Sequence, residues 1–334
     1  MILVNRNFLN LLLLNIILFS SCSKLEVYTF DGTTMGTTYS IKIRSENTFD
    51  INQFKNDVDS LLFDINYIFS NYIHDSEISK INTSKQFKNN VSNEFIEVLK
   101  KSLYYADLSN GLYDPTVYPL VDIWGFASSI VVSKPSEYKI KETKKNVNYK
   151  FLNIDKNILF KNNNSVHIDL SSIAKGYAVD QVSEFLEKKG YLNSMIEIGG
   201  EVRCNSDNDN NFWNIGIASP YNESLAMKVK LYNHSIATSG NYNNFTEYDG
   251  VEYSHIINPK TGYPIATNIL SCTIISRMCV DADALATVLM TLPAQKGLKL
   301  INDLYDTECI IINRDKSGRI DRYMSRKFEK FIVD

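Results

Sequence analysis

Apolar residues recur at helical spacing from Asp50 to Phe69, at Phe54, Val58, Leu61, Leu62, Ile65 and Phe69. This predicts a helix with one buried face. Upstream, Tyr39, Ile41 and Ile43 alternate with polar residues, a strand pattern that follows the turn-rich stretch DGTTMGTT (31–38). A second helix is expected over Glu94–Leu108, with loops and short turns over 71–93. The stretch GLYDPTVYPLVDIWGF (111–126) cannot be one regular element, because Pro115 and Pro119 would interrupt a helix or a central strand. Residues 134–150 read as partly helical, 160–164 as a polar turn, 166–170 as a short strand and 174–189 as a helix. A strand over 194–198 runs into Gly199-Gly200. Further strands are expected at 213–218, 226–232, 234–238, 254–257 and 271–276, and a helix from Asp283. Repeated strands with a few long helices imply an α+β fold of largely antiparallel sheets and packed helices. No internal repeat or linker-like composition interrupts it, so residues 22–334 read as one domain.

The first 21 residues stand apart. Arg6 precedes the apolar stretch Phe8–Phe19, which Asn10 and Asn15 interrupt, and Ser20-Ser21 lead into Cys22. The stretch is short for a membrane span. It resembles the bacterial lipoprotein signal, which is cut before a cysteine that then carries lipid, although Phe19 stands where Leu is usual. Residues 1–21 are therefore expected to be a lipoprotein signal peptide and Cys22 the lipidated residue; a plain cleaved signal and a retained anchor are the alternatives. Acyl chains on Cys22 would hold the protein on a membrane without a spanning helix.

Composition narrows the function classes. A hydrophobic fraction of 44% with 22% charged residues argues against disorder and coiled coil. The formal charge of −3 argues against a nucleic-acid coat. The five cysteines include no CxxC pair, which disfavours structural zinc. Cys204, Cys272, Cys279 and Cys309 require no disulfide, and burial is the better reading of Cys272 and Cys279.

Four segments could carry chemistry. In DADALATVLM (281–290), Asp283 and Thr287 share a helix face. They are oxygen donors suited to a hard cation such as Mg²⁺, unless Asp281 simply caps the helix and Thr287 packs. In DLSSIAKGYAVD (169–180), Ser171 and Ser172 could cap a helix, Lys175 adds charge, and Gly176 permits close approach of a ligand. The segment lacks the P-loop spacing, so nucleoside triphosphate binding of that kind is unsupported. The glycines of IEIGGE (196–201) allow either close passage of a ligand or a tight turn. In SHIINPKTGYP (254–264), His255 is one of four histidines and is either a proton acceptor or a structural residue.

Together, TMGTTYSI, GLYDPTVYPLVDIWGF, DLSSIAKGYAVD, IEIGGEVR, ATSGNY, SHIINPKTGYPI and DADALATVLMTL resemble, in order and spacing, the ApbE family of FAD:protein FMN transferases. The resemblance covers nearly all of residues 27–325. It implies a T-fold-like α+β core and a cleft for FAD and Mg²⁺. FMN would pass from FAD through its phosphate to a Thr or Ser of an acceptor subunit of a membrane redox complex, releasing AMP. The alternative is Mg²⁺-dependent hydrolysis of FAD to FMN and AMP. Carried over by motif, the metal ligands would be Asp283, Thr287 and the carbonyl of Ser172. Flavin contacts would fall on Met35, Tyr72, Asp114, Pro115, Thr116, Lys175 and Ile265. Gly199, Gly200 and Asp180 would line the same cleft. Ser171-Ser172 stand where GG or GA is common, and Pro293 where Gly is common. His255 is the preferred proton acceptor for the attacking hydroxyl, with Asp180 as its rival. The implied location is the bacterial cell membrane, lipid-anchored, at the periplasmic face of the inner membrane.

Overall fold

A computed structural model describes residues 25–333, apart from 47–48, 128–130, 132, 209–210, 223 and 242–244. The expected signal peptide and Cys22 lie outside the described residues. The elements follow in chain order as β1 (Glu26–Thr34), β2 (Thr37–Ser45), α1 (Ile51–Phe69), α2 (Glu77–Thr83), β3 (Lys88–Asn90), α3 (Asn93–Leu108), α4 (Tyr118–Ile123), α5 (Glu137–Lys144), β4 (Leu152–Asp155) and β5 (Ile158–Lys161). Then come α6 (Ser171–Lys188), β6 (Ser194–Ile198), β7 (Glu201–Asn205), β8 (Trp213–Ala218), β9 (Leu225–Leu231), β10 (His234–Gly240), β11 (Phe245–Tyr248), β12 (Val251–Ser254), β13 (Ile269–Ser276), α7 (Cys279–Met290), α8 (Ala294–Asn302), β14 (Glu308–Arg314) and β15 (Ile320–Met324).

Among the described residues, eight strands form one sheet in the order β1-β2-β6-β7-β10-β13-β14-β15. Each neighbouring pair is antiparallel. One face of this sheet, with Ile41, Ile196, Cys272, Ile274 and Ile311, packs on α1, α3, α6 and α7. The other face, with Val202, Cys204, Ile275, Ile310 and Ile312, packs on the β8–β9 hairpin and on Phe328 and Phe331. Burial on both faces leaves β13 almost continuously buried and gives β14 the unbroken apolar run Cys309–Ile312 rather than an alternating pattern. Cys204, Cys272, Cys279 and Cys309 are free thiols inside this core.

The periodic reading of α1 holds. Phe54, Val58, Leu62, Ile65 and Phe69 are buried, and Asp50 caps the helix by accepting the N–H groups of Asn52 and Gln53. Other expectations are corrected. Residues 71–93 hold α2 and β3 as well as loops, and β5 runs into the expected turn at 160. The strand near 254 lies earlier, at β12, followed by a single bridge between Ile257 and Pro264. Residues 166–170 form no ladder. Ile168 donates its N–H to Asn82 Oδ1 at 2.7 Å, and its carbonyl accepts from Asn82 Nδ2 at 2.9 Å. A side chain thus does here what a neighbouring strand does in a sheet.

Asn82 Nδ2 also donates to Asn71 Oδ1 at 2.9 Å. Asn82→Ala strands both polar groups of buried Ile168. The expected loss is about 2–4 kcal/mol, measured by urea denaturation; a loss below experimental error would contradict this role.

Candidate active site

Two turns and a helix pair build the site. The β1–β2 hairpin turns on Met35 and Gly36, with φ of 50° and 75°. Such turns favour Asn or Gly, because a side chain in the left-handed region costs about 1–2 kcal/mol. Met35 bears that strain and lines a cavity of about 680 Å³. Phe69, Tyr72, Val117, Val121, Phe126 and Ile257 contribute further apolar surface to its walls. Tyr72 is 79% exposed, so its ring is available to a ligand rather than committed to the core.

A cluster of polar residues in the same cavity comes from the start of α6 and the middle of α7. The two helices touch at Gly176, where an added Cβ would stand 2.4 Å from the Cys279 carbonyl oxygen. Gly176 therefore admits the neighbouring helix, not a ligand as its sequence suggested. Its N–H donates to Asp283 Oδ2 at 2.9 Å. That N–H is the one the helical repeat assigns to the Ser172 carbonyl, which ties the carbonyl to the same corner. Thr287, one turn after Asp283, pairs its hydroxyl with that of Ser239 at 3.3 Å. Ser171 and Ser172 are the first helical residues rather than caps. Asp169 Oδ1 accepts the Ser171 N–H at 2.8 Å, and the Ser172 hydroxyl donates to the Tyr113 hydroxyl at 3.0 Å.

Lys175 Nζ lies 3.9 Å from Asp283 Oδ1 and 3.3 Å from Glu201 Oε1. Burial works against the Lys175 charge, but Asp283 and then Glu201 hold its pKa above the ordinary lysine range. Burial also pushes both carboxylates upward, against the pull of Lys175. Two buried carboxyl groups thus face one ammonium, an arrangement that favours a bound proton or an added cation. A carboxylate, a hydroxyl and a main-chain carbonyl are the donors a hard divalent cation accepts, so the residues fit Mg²⁺. The described residues hold no cluster of three His, Cys, Asp or Glu side chains able to bind a metal, so such a site depends on these mixed oxygens.

Other expected residues fall at varying depths. His255 and Asp114 line the cavity, and the His255 ring stands 6.3 Å from that of Phe126. The Asp114 carboxylate is already taken by the N–H and hydroxyl of Thr116 and the N–H of Tyr149. Pro115, Thr116, Ile265, Gly199 and Gly200 are not among the residues lining the cavity. Pro115 accepts the Asp169 N–H, and Ile265 donates its N–H to the Ile256 carbonyl, so both support wall residues. Gly199 and Gly200, with φ of 61° and 100°, form the turn between β6 and β7.

Asp180 does not reach the cavity. Its oxygens accept the N–H groups of Cys279 and Val280 at 2.9 Å each, and Arg203 Nη1 at 2.7 Å. It anchors the start of α7 and is unsuited to the role of base. Asp281, at the same helix start, pairs with Lys101 at 2.6 Å and accepts from the Tyr105 hydroxyl at 2.8 Å. Sequence reasoning overlooked Glu201, Asp169, Tyr113 and Ser239. All four lie inside or beside the quoted motifs, which was the available signal.

Residues 35–311 match the family described as the ApbE family. The chain belongs to the ApbE family. It is 36% identical over 331 residues to the FAD:protein FMN transferase of Vibrio cholerae, covering 96% of this chain and 97% of that protein. Identity to the enzyme of the same name from Haemophilus influenzae is 34% over 295 residues, with 84% and 85% covered. The solved structure of the flavin transferase ApbE from Vibrio cholerae superposes with a TM-score of 0.84 at 34% identity, covering 92% of this chain and all of that one. The ApbE protein of Thermotoga maritima gives 0.82 at 29% identity over the same shares. The helix-backed antiparallel sheet is therefore the ApbE fold.

Gly176→Ala tests the helix contact. The new methyl forces α6 and α7 apart, at an expected cost of about 1–3 kcal/mol, read by urea denaturation. An unchanged midpoint would show that the helices do not need this approach.

Proposed function

We propose that this ApbE protein transfers the FMN part of FAD to a Thr or Ser hydroxyl of an acceptor protein, forming a phosphoester and releasing AMP. The observation that carries this reading is one cavity joining an apolar, aromatic wall to a corner of Lys175, Asp283, Thr287 and Ser172. An isoalloxazine ring suits the first and a pyrophosphate with its cation suits the second. The names of the similar proteins support the same reaction.

Tyr72 and Met35 would contact the flavin ring. Asp283, Thr287 and the Ser172 carbonyl would hold Mg²⁺, which when bound would neutralise charge developing on the phosphates. Lys175 would orient the pyrophosphate. His255 would accept the proton of the attacking hydroxyl as it bonds to the FMN-side phosphorus and AMP departs. Imidazole suits that task near neutral pH. The acceptors would be subunits of membrane redox complexes, met at the periplasmic face of the inner membrane.

Purified protein, FAD and Mg²⁺ with an acceptor domain should give covalently flavinylated acceptor by mass spectrometry. FMN and AMP in solution with no labelled acceptor would favour hydrolysis instead. His255→Ala should slow single-turnover transfer by about 10²–10⁴-fold and leave FAD affinity unchanged. An undiminished rate would remove His255 as the base.

Cys22 is the proposed lipid anchor. Mass spectrometry of the membrane-bound protein should find a mature chain beginning at lipid-modified Cys22. An unmodified N-terminus at a later residue would overturn that assignment.

A further inference from the structure

Glu201 opens β7 directly after the Gly199-Gly200 turn and is 5% exposed. It lies behind Lys175 rather than in the cavity wall. Its Oε1 meets the Lys175 ammonium, and its Oε2 is buried with no hydrogen-bond partner among the described residues. A buried carboxylate oxygen is costly to leave open, so it marks a place where a donor arrives in another state of the site.

The donor nearest at hand is Lys175. Its ammonium stands between two carboxylates, 3.3 Å from Glu201 and 3.9 Å from Asp283. A divalent cation on Asp283 would face that ammonium across one carboxylate, and the like charges repel strongly where water is scarce. Lys175 must then withdraw from Asp283, and Glu201, already 3.3 Å from the ammonium, is the carboxylate left to hold it. The Lys175 stem passes close to the β6–β7 turn, where a Cβ added at Gly199 would stand 3.4 Å from Lys175 Cδ.

Resting on the reading that Asp283 holds a divalent cation, we propose that Glu201 is a positioning residue that takes the Lys175 ammonium on its second oxygen when the cation arrives. Lys175 thereby stays charged and beside the phosphate-binding corner instead of competing for Asp283. The effect of Glu201 on cation affinity therefore passes entirely through Lys175.

Mn²⁺ binding to the full chain without FAD, titrated by electron paramagnetic resonance, tests this. Glu201→Gln leaves Lys175 with Asp283 as its remaining carboxylate and should weaken Mn²⁺ binding at least about fivefold, the low end of ordinary coupling between sites. Glu201→Asp should recover part of the loss. The double variant Lys175→Met/Glu201→Gln should bind Mn²⁺ as tightly as the unaltered protein or tighter, because no ammonium competes for Asp283. Unchanged affinity in Glu201→Gln would overturn the proposal. So would a double variant as weak as the single one, which would make Glu201 a direct ligand or a purely structural residue. If Glu201→Gln alone does not fold, the double variant, which removes both buried charges, is compared with the unaltered protein: equal or tighter Mn²⁺ binding supports the proposal and weaker binding overturns it. Asp283→Ala tests the cation site by itself: full Mn²⁺ affinity in that variant would remove the site, and the role of Glu201 with it.

Discussion

The site depends on an imbalance of charge: two carboxylates, Asp283 and Glu201, are buried against a single ammonium, that of Lys175. Charges withdrawn from water in this way stabilise a fold poorly, because desolvation consumes much of what their attraction returns. Their arrangement makes sense as a site held ready for added positive charge. The rest of the structure keeps these three groups together in spite of that cost. Gly176 lets α6 and α7 approach to backbone contact, and its N–H fixes one Asp283 oxygen. The first strand of the β6–β7 hairpin pairs with β2, so the sheet that carries Met35 to the cavity also carries Glu201 beneath Lys175.

A second buried pair, Asp180 with Arg203, performs a different task. Asp180 accepts two N–H groups at the start of α7, where the helix dipole favours a negative charge. Burial pushes its pKa upward, and Arg203 and the two N–H groups pull the other way. The helix that presents Asp283 and Thr287 is thus fixed at its first turn by α6. The two carboxylates on facing helices have separate roles, one anchoring the helix and one facing the cavity.

Much of this was legible in the chain. The spacing of Phe54, Val58, Leu62, Ile65 and Phe69 identified α1, and the seven motifs identified the ApbE family. Asp283, Thr287 and Lys175 were picked out by residue type and spacing, and the cavity includes all three. What was not legible depended on contacts between distant segments. Glu201 follows a turn, where exposure is the ordinary expectation, but it is buried and pairs with Lys175 of α6. Asp180 stood as the rival to His255 because its motif was expected to line the cleft, but the start of α7, about a hundred residues later, takes up both its oxygens. Residues 166–170 looked like a strand because Val166, Ile168 and Leu170 alternate with polar residues, yet Asn82 supplies the hydrogen bonds a ladder would have made.

The central claim is that the corner where α6 meets α7 is a cation site completed by oxygen atoms of Asp283, Thr287 and Ser172. Anomalous diffraction from crystals of the protein grown with Mn²⁺ tests it most directly. The account requires a peak within bonding distance of the Asp283 carboxylate, the Thr287 hydroxyl and the Ser172 carbonyl, with the Lys175 ammonium drawn back to both oxygens of Glu201. A peak bonded to Glu201, or a Lys175 ammonium still beside Asp283 with the metal elsewhere, would contradict it.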